Sequence, residues 1–499
     1  MVINRKDAGM EKKTIKRILI ANRGEIALRI MKTVRELGRE AIVVYEKPDR
    51  NACYLRFADR AIPIDNEQGG SYLNIEKMVR TAIETGADAI HPGYGFLAEN
   101  ADFACACEEA GIIFIGPPSP VIKNLGDKVL ARHLAVEAGV PTVPGIATLS
   151  PGEDGVAEVL AFVAEHGYPV ILKAVLGGGG RGMRKIGMDS DLKVQILRAR
   201  AEAMSAFNSD TIYVEKYIEA AKHVEVQILA DSYGNVVHLG TRDCSIQRRH
   251  QKLLEVAPVD LPGEVIEAIH SAAIKIARAS AYVNAGTVEF LVDAQSGRFW
   301  FMEINTRLQV EHSVTEMLTG VDIVRQQIEI AEGMVLGIRQ EQVNLSGIAI
   351  EVRINAEDPK NNFMPEGGKM IEIFDPPGGS NIRVDGNIHL GYRIPAAYDS
   401  LLAKLIVRGH GWAETVQRLK KALLRFTLLW PKTTIPLYIA ICNEPDFMNR
   451  TFDTSYLENH PQLFEYPDHE YFVIDSTVYG KNAHHLLNQW TDRICSDSG

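Results

Sequence analysis

The chain has 499 residues, 46% apolar and 24% charged, with a formal net charge of −10. That length allows about three domains with ordinary buried cores, and the acidic balance argues against a broad nucleic-acid-binding surface. No apolar run approaches the roughly 18 residues of a membrane span, so neither a nucleic acid nor a membrane is expected as a partner. The start, Met1 to Lys13, is polar and lacks the apolar stretch of a secretory signal; residues 1–15 read as a mobile extension. Residues 16–127 alternate strand and helix. Arg17–Ala21 is a strand, Glu25–Leu37 a helix with Ile26, Ile30 and Val34 on one face, and Glu40–Tyr45 a second strand. Asp88–His91 and Ile112–Ile115 continue the pattern, which implies a parallel sheet wrapped by helices. The turn Asn22–Glu25 is no GxGxxG fingerprint, so a dinucleotide site is not supported.

The Pro-rich joint Gly116–Pro120 suggests a boundary. Residues 128–217 then read as a linker and lid, with strands Pro169–Ala174 and Thr211–Glu215 around a glycine run. From 218 to 464 strands follow in close succession, among them Val224–Ala230, Val236–Arg242, Thr287–Val292 and Phe299–Ile304, as in an antiparallel sheet. The fold class is therefore α/β joined to α+β. Residues 465–499 form a tail without an assigned role. Of six cysteines only Cys105 and Cys107 are close, a poor zinc signature; reduced thiols in a cytoplasmic protein are the simpler reading.

Four motifs carry chemistry. Gly286–Asn305 reads as a β-hairpin turning at Ser296, with Glu289 and Glu303 equidistant from it and so opposite each other. Two such carboxylates require a positive charge between them or a shared proton, and with Asn305 on the same face they suit Mg²⁺; an exposed acidic pair is the bland alternative. The four glycines of Gly177–Gly180, preceded by Lys173, can close backbone amides on an anion. No strong helix follows, so a hairpin loop over a phosphate fits better than a helix start; a plain linker is the alternative. In Thr306–His312 the Arg307 guanidinium and Gln309 amide can cradle a small planar oxyanion, with Glu311 as a candidate general base. Arg242–Lys252 is dense in donors for phosphate, ribose and carboxylate. Taken singly, each of these last two could be a solvated charged segment.

In this order the motifs Ile20–Ala27, His91–Phe96, Gly177–Met183, Arg242–Lys252, Glu303–His312 and Arg353–Glu357 resemble the biotin carboxylase family of ATP-grasp enzymes over residues 15–464. The resemblance implies an N-terminal Rossmann-like domain, a small lid and a C-terminal antiparallel-sheet domain. It implies ligase activity: ATP, Mg²⁺ or Mn²⁺ and bicarbonate used to carboxylate biotin on a separate carrier. It assigns ATP contacts to Lys128, Lys173, Gly178, Gly179, Gly180, Glu215, Lys216, Tyr217, Ile218, His223, Gln247, His250, Glu289 and Glu303. Glu289, Glu303 and Asn305 become metal ligands, and Lys252, Arg307, Gln309 and the Val310 backbone the bicarbonate pocket. Tyr94 and Arg353 approach biotin, with Glu311, Arg353, Lys252 and Arg307 as the catalytic set.

Ser313 stands where the family usually has proline, implying lower rigidity beside the base; Val175–Leu176 replaces a small polar pair before the glycines. Trp430–Thr434 replaces a common turn, expected to lie away from the chemistry. With no Ala-Met-Lys-Met-like lysine motif and no carboxyltransferase segment, the expected partners are a biotin carboxyl carrier protein, a carboxyltransferase subunit and a second copy of the chain. Acetyl-CoA, propionyl-CoA, pyruvate and 2-oxoglutarate systems share this half-reaction, and His460–Phe464 resembles pyruvate carboxylase-type chains. Another ATP-grasp ligase shares the hairpin and lid but has no need of Arg353 with the Tyr94 loop. A non-catalytic nucleotide sensor would have lost the charged side chains present here.

Overall fold

The computed structural model describes residues 14–65, 70–175, 182–188 and 191–466. Strands Arg60–Pro63, Glu40–Tyr45, Arg17–Ile20, Ala89–His91 and Ile113–Phe114 lie side by side in that order, all parallel. Helix Gly24–Glu36 buries Ile26, Ile30 and Val34. It ends where Gly38 takes a φ of +68° and lets the Arg39 amide reach back to the Val34 carbonyl at 3.1 Å. The winding direction reverses beside Arg17–Ile20. Open parallel sheets place their crevice past the strand ends at such a point, and here those ends run into Asn22–Glu25 and Pro92–Tyr94. The Asn22 amide ties the two loops together, donating to the Pro92 and Tyr94 carbonyls at 2.8 and 2.7 Å.

The largest sheet has eight strands, ordered Phe299–Asn305, Asn284–Asp293, Ala221–Ala230, Val236–Arg248, Gln251–Ala257, Ile348–Asn355, Leu401–Gly409 and Ile382–Gly386. Neighbouring strands pair antiparallel. Helix Gly263–Ala279 covers one face with Val265, Ile269, Ala273 and Ile276, packed with Val224, Val226, Ile228 and Val288. That face is apolar because alternate residues of each strand point to it. The opposite residues of Ala221–Ala230 are His223, Glu225 and Gln227, all buried.

The stretch expected as linker and lid divides in two. Lys128–Glu137 is a helix whose Ala131 and Ala135 pack with Phe301 and Ile304, so it belongs with the hairpin. The lid sheet has strands Gly145–Ile146, Ile212–Lys216, Val170–Ala174 and Met183–Ile186, with a core of its own built on Val159, Phe162, Leu172 and Ile196. Val170–Ala174 pairs antiparallel with Met183–Ile186, so a strand and no helix follows the glycine run. Gly178, Gly179 and Gly180 themselves lie outside the described residues, as do residues 1–13 and 467–499. Ile15, assigned to the extension from the sequence, is buried and its amide donates to Glu332 Oε1 at 3.1 Å; an apolar side chain beside an acceptor ends the extension sooner. Among the described residues no helix is long and apolar enough to cross a membrane, and Cys53, Cys105, Cys107, Cys244 and Cys442 are free.

Candidate active site

The polar face of the large sheet converges on Lys252. Its ammonium lies 2.7 Å from Glu225 Oε2, 2.9 Å from Glu289 Oε1 and 2.7 Å from Glu311 Oε1. Glu225 and Glu289 are cross-strand neighbours, as are Glu225 and Arg242, so strand pairing alone delivers three of these groups to one place. Arg242 donates to Glu225 and to Gln227 Oε1, the latter at 2.9 Å. Burial pushes the Glu225 carboxyl up, but Arg242 and Lys252 outweigh it and hold it down at about 2.

The hairpin pairs Glu289 with Glu303 and Thr287 with Asn305, as its spacing predicts. The turn does not do this alone. The loop closes on Asp293 and Arg298, whose backbones bond at 2.9 Å, and beyond it Val292 pairs with Phe299 and Phe290 with Phe301. That register would place Met302 opposite Glu289. A bulge between Glu289 and Phe290 absorbs one residue and brings Glu303 opposite. Asn305 Nδ2 then lies between the two carboxylates, 2.8 Å from Glu289 Oε1 and 3.5 Å from Glu303 Oε1. Two carboxylates converging on one polar point, with an amide able to turn its oxygen inward, fit a hard divalent cation. The repulsion predicted between the glutamates is answered by cations: Lys252 on Glu289, and Lys128 Nζ 3.7 Å from Glu303 Oε2. Although buried, the Glu289 carboxyl is held well below the usual range by Lys252 and His223.

Of the remaining predicted residues, His223 joins this point directly. His223 Nε2 lies 2.7 Å from Glu289 Oε2, and Gln247 Nε2 approaches its Nδ1 at 3.3 Å. His250 and Arg249 form the tight turn after Arg248 with φ of +67° and +46°, a conformation that side chains other than Gly and Asn adopt only at a cost. Lys173 Nζ bonds Glu215 Oε2 at 2.6 Å, and Arg132 Nη1 holds the other oxygen at 3.0 Å. Lys216 and Tyr217 use their amides on the Pro144 and Pro169 carbonyls, and Ile218 follows directly in chain.

Arg307 Nη1 donates to Gln309 Oε1 at 2.8 Å, so guanidinium and amide do meet; Arg307 Nε also pairs with Glu99 at 2.8 Å, a partner the sequence did not suggest. The Val310 carbonyl accepts from Lys404 Nζ at 2.6 Å. Arg353 Nη2 is 3.0 Å from Glu311 Oε2 and 2.7 Å from Glu255 Oε1. Burial and Glu225 push the Glu311 carboxyl up, but Lys252, Arg353 and Arg242 prevail and keep it anionic. The Tyr94 hydroxyl donates to Glu25, at the crevice of the parallel sheet.

Two expectations are corrected. Ser313 does not loosen the loop beside Glu311: it is fully buried, accepts from Lys404 at 2.8 Å and donates to Asp385 at 3.3 Å. The Trp430–Thr434 turn is not remote either, since the Thr434 hydroxyl donates to the Arg353 carbonyl at 2.8 Å. Sequence reasoning gave no role to Glu225, Glu255 and Lys404, and read Arg242 only as part of a donor-rich segment. The signal for Glu225 was present: His223, Glu225 and Gln227 recur every second residue in an apolar strand, marking a buried polar face.

An antiparallel sheet with paired carboxylates that fit a divalent cation, joined to a lid sheet and a parallel-sheet domain, defines an ATP-grasp ligase. Family models for the biotin carboxylase N-terminal domain, the carbamoyl-phosphate synthase L chain ATP binding domain and the biotin carboxylase C-terminal domain match residues 14–122, 127–339 and 351–459. The chain belongs to the biotin carboxylase family. It is 48% identical over 448 residues to biotin carboxylase 1 of Bacillus subtilis, covering 89% of this chain and 99% of that one. It is also 48% identical over 459 residues to the 2-oxoglutarate carboxylase small subunit of Hydrogenobacter thermophilus, covering 91% and 95%. The biotin carboxylase domain dimer of that carboxylase, solved with MgADP, ADP and bicarbonate, superposes with a TM-score of 0.87 at 47% identity, over 91% of this chain and 100% of that one.

Proposed function

We infer that this chain is the biotin carboxylase component of a biotin-dependent carboxylase: it spends ATP to join bicarbonate to biotin held on a carrier protein. The observation that carries this is the Lys252 ammonium shared by Glu225, Glu289 and Glu311, which locks the metal hairpin, the anion pocket and the base into one unit. In our reading Lys128, Lys173 and the glycines Gly178, Gly179 and Gly180 hold the phosphates. Glu215–Ile218 bind adenine, and His223, Gln247 and His250 complete the nucleotide site. Bound by Glu289, Glu303 and Asn305, Mg²⁺ or Mn²⁺ supplies positive charge against the phosphates.

Bicarbonate rests on Lys252, Arg307, Gln309 and the Val310 backbone. Glu311 takes its proton, and the freed oxygen attacks the γ-phosphorus as ADP leaves. The carboxyphosphate breaks into CO₂ and phosphate, the phosphate takes the ureido N1 proton of biotin, and N1 attacks CO₂ while Arg353 holds the enolate oxygen. Tyr94 lies beside that step. Closing the lid keeps water from the carboxyphosphate.

Residues 16–127 serve as crevice, the lid sheet and its helices as lid, and 218–464 together with helix Lys128–Glu137 as catalytic platform. A carrier protein, a carboxyltransferase subunit and a second copy of the chain are its partners, and the five cysteines free among the described residues fit the cytoplasm. Purified chain given ATP, Mg²⁺, bicarbonate and free biotin is expected to form ADP at a rate that rises with biotin and vanishes without bicarbonate. ADP formation indifferent to biotin at saturating substrates overturns the reading.

A further inference from the structure

Glu255 and Glu351 stand directly opposite each other on adjacent antiparallel strands, on the face that carries Arg353. Both are fully buried. Glu255 Oε1 accepts a hydrogen bond from Arg353 Nε at 2.8 Å, and Arg353 Nη2 stands 2.7 Å from the same oxygen. Its other oxygen and both oxygens of Glu351 are buried without a hydrogen-bond partner, and Lys404 Nζ stands 4.0 Å from Glu351. Two bare carboxylates so placed repel each other and leave three acceptors unsatisfied. One proton between a free oxygen of each removes the repulsion and satisfies two of the three acceptors, because it neutralises one carboxyl and makes it a donor to the other.

We propose that Glu255 and Glu351 form a proton-sharing pair that positions Arg353: Glu351 keeps the proton, Glu255 keeps the charge, and the guanidinium is held between Glu255 and Glu311, open toward biotin. Arg353, Glu311 and Lys252 face Glu255, with the Cys244 thiol and Tyr438 hydroxyl beside it. Lys404, Arg353 and Glu311 face Glu351, and Lys404 is also drawn to Glu25 at 3.5 Å. Burial pushes Glu255 up to about 7 against the pull of Arg353, and pushes Glu351 well above the carboxyl range against that of Lys404. The division of labour follows from these partners: Glu255 has the Arg353 guanidinium in direct contact at Oε1, whereas the nearest cation to Glu351, Lys404, stands 4.0 Å away. Loss of the shared proton would add a negative charge behind Arg353 and draw it back from the enolate.

The inference rests on the proposed function only for what Arg353 does. Its test is the pH profile of biotin-dependent turnover by the full chain, read beside bicarbonate-dependent ATP turnover without biotin. The wild type is expected to lose biotin-dependent kcat on an alkaline limb as Glu351 ionises. Glu351→Gln donates from its amide at every pH and is expected to move that limb upward by about one pH unit or more. Glu255→Gln is expected to lower biotin-dependent kcat about tenfold or more while the KM for ATP stays within about twofold. An unmoved limb in Glu351→Gln overturns the proposal.

Should that variant fail to fold, infrared spectra of Glu25→Gln decide. A protonated-carboxyl stretch must persist where exposed carboxylates are fully ionised, and its absence overturns the pair. A wild type without biotin-dependent turnover at any pH sinks the proposed function instead and leaves the infrared result to judge the pair.

Discussion

The catalytic sheet and the lid sheet are both antiparallel, and both are laced with ion pairs, but apart from the largely buried Lys173–Glu215 pair the lid leaves its charges in solvent where the catalytic sheet seals them. Around Lys252 the paired side chains are sealed: Lys252 is 12% exposed, and Glu225, Glu289 and Glu311 between 0% and 4%. In the lid, Lys193 and Glu153 pair at 61% and 73% exposure, and Lys185 and Glu219 at 51% and 65%. A sealed cluster makes each charge depend on its partners, since removing one strands the others in a low-dielectric site. A solvated pair loses little when broken. The catalytic platform is thus built in advance of its substrates, while the lid's surface charges are free to exchange partners.

The comparison is broken most severely at its hub. Lys252→Met leaves three buried carboxylates without their common counter-charge. It is expected to cost about 3–5 kcal/mol of stability in urea unfolding and about 10³-fold or more in carboxylation. Glu311→Gln keeps the shape and removes the proposed base: biotin carboxylation should fall about 10²–10⁴-fold, with nucleotide affinity by calorimetry within about threefold of wild type. Retained carboxylation would remove Glu311 from the role of base.

A pH series separates sealed charges of opposite sign. Glu225 is depressed to about 2, burial being outweighed by Arg242 and Lys252. Its stabilisation is therefore present above the unfolded carboxyl value and lost as pH falls toward about 2. Glu255 is raised to about 7, chiefly by burial. The folded chain holds its proton longer than the unfolded one, so this contribution is present at acid pH and lost as pH climbs from about 4.5 to about 7. Denaturation of Glu255→Gln should show a flatter decline across that window than wild type, and an identical slope would contradict the assignment. A smaller effect is expected from Thr434→Val, which removes the hydroxyl bond to the Arg353 carbonyl: about 1–2 kcal/mol of stability, with biotin-dependent turnover lowered about two- to fivefold. Smallest of all is Lys193→Ala in the lid, where melting temperature and turnover should match the wild type.

Much of this was legible without coordinates. The helix face of Ile26, Ile30 and Val34 and the strands at Val224–Ala230, Thr287–Val292 and Phe299–Ile304 appear where periodicity places them, within a few residues at their ends, whereas the strand from Val236 runs on to Arg248 and Gln251–Ala257 adds a strand that was not read. The motifs from Lys173 to Arg353 pointed to one site because each is short, charged and bounded by strands. What periodicity missed were the residues that make the site hold. Glu225, Glu255 and Lys404 read as ordinary strand charges until pairing sets Glu225 across from Arg242, Glu255 across from Glu351 and Lys404 across from Arg353. Ser313 and Thr434 looked like losses or irrelevancies, because a hydroxyl's worth depends on acceptors far away in sequence.

By itself the sequence determined the elements, the two kinds of sheet, and the carboxylate pair on a hairpin, because alternation and turn chemistry are local. Only the tertiary structure decided that Glu303 faces Glu289. The loop closes on Asp293 and Arg298 in a register that would turn Glu303 to the opposite face, since a one-residue slip inverts every side chain. The bulge that restores it forms where the Phe301 amide bonds the Pro141 carbonyl at 2.7 Å on the strand's outer edge. That contact comes from a distant segment, which no local pattern in residues 284–305 could specify.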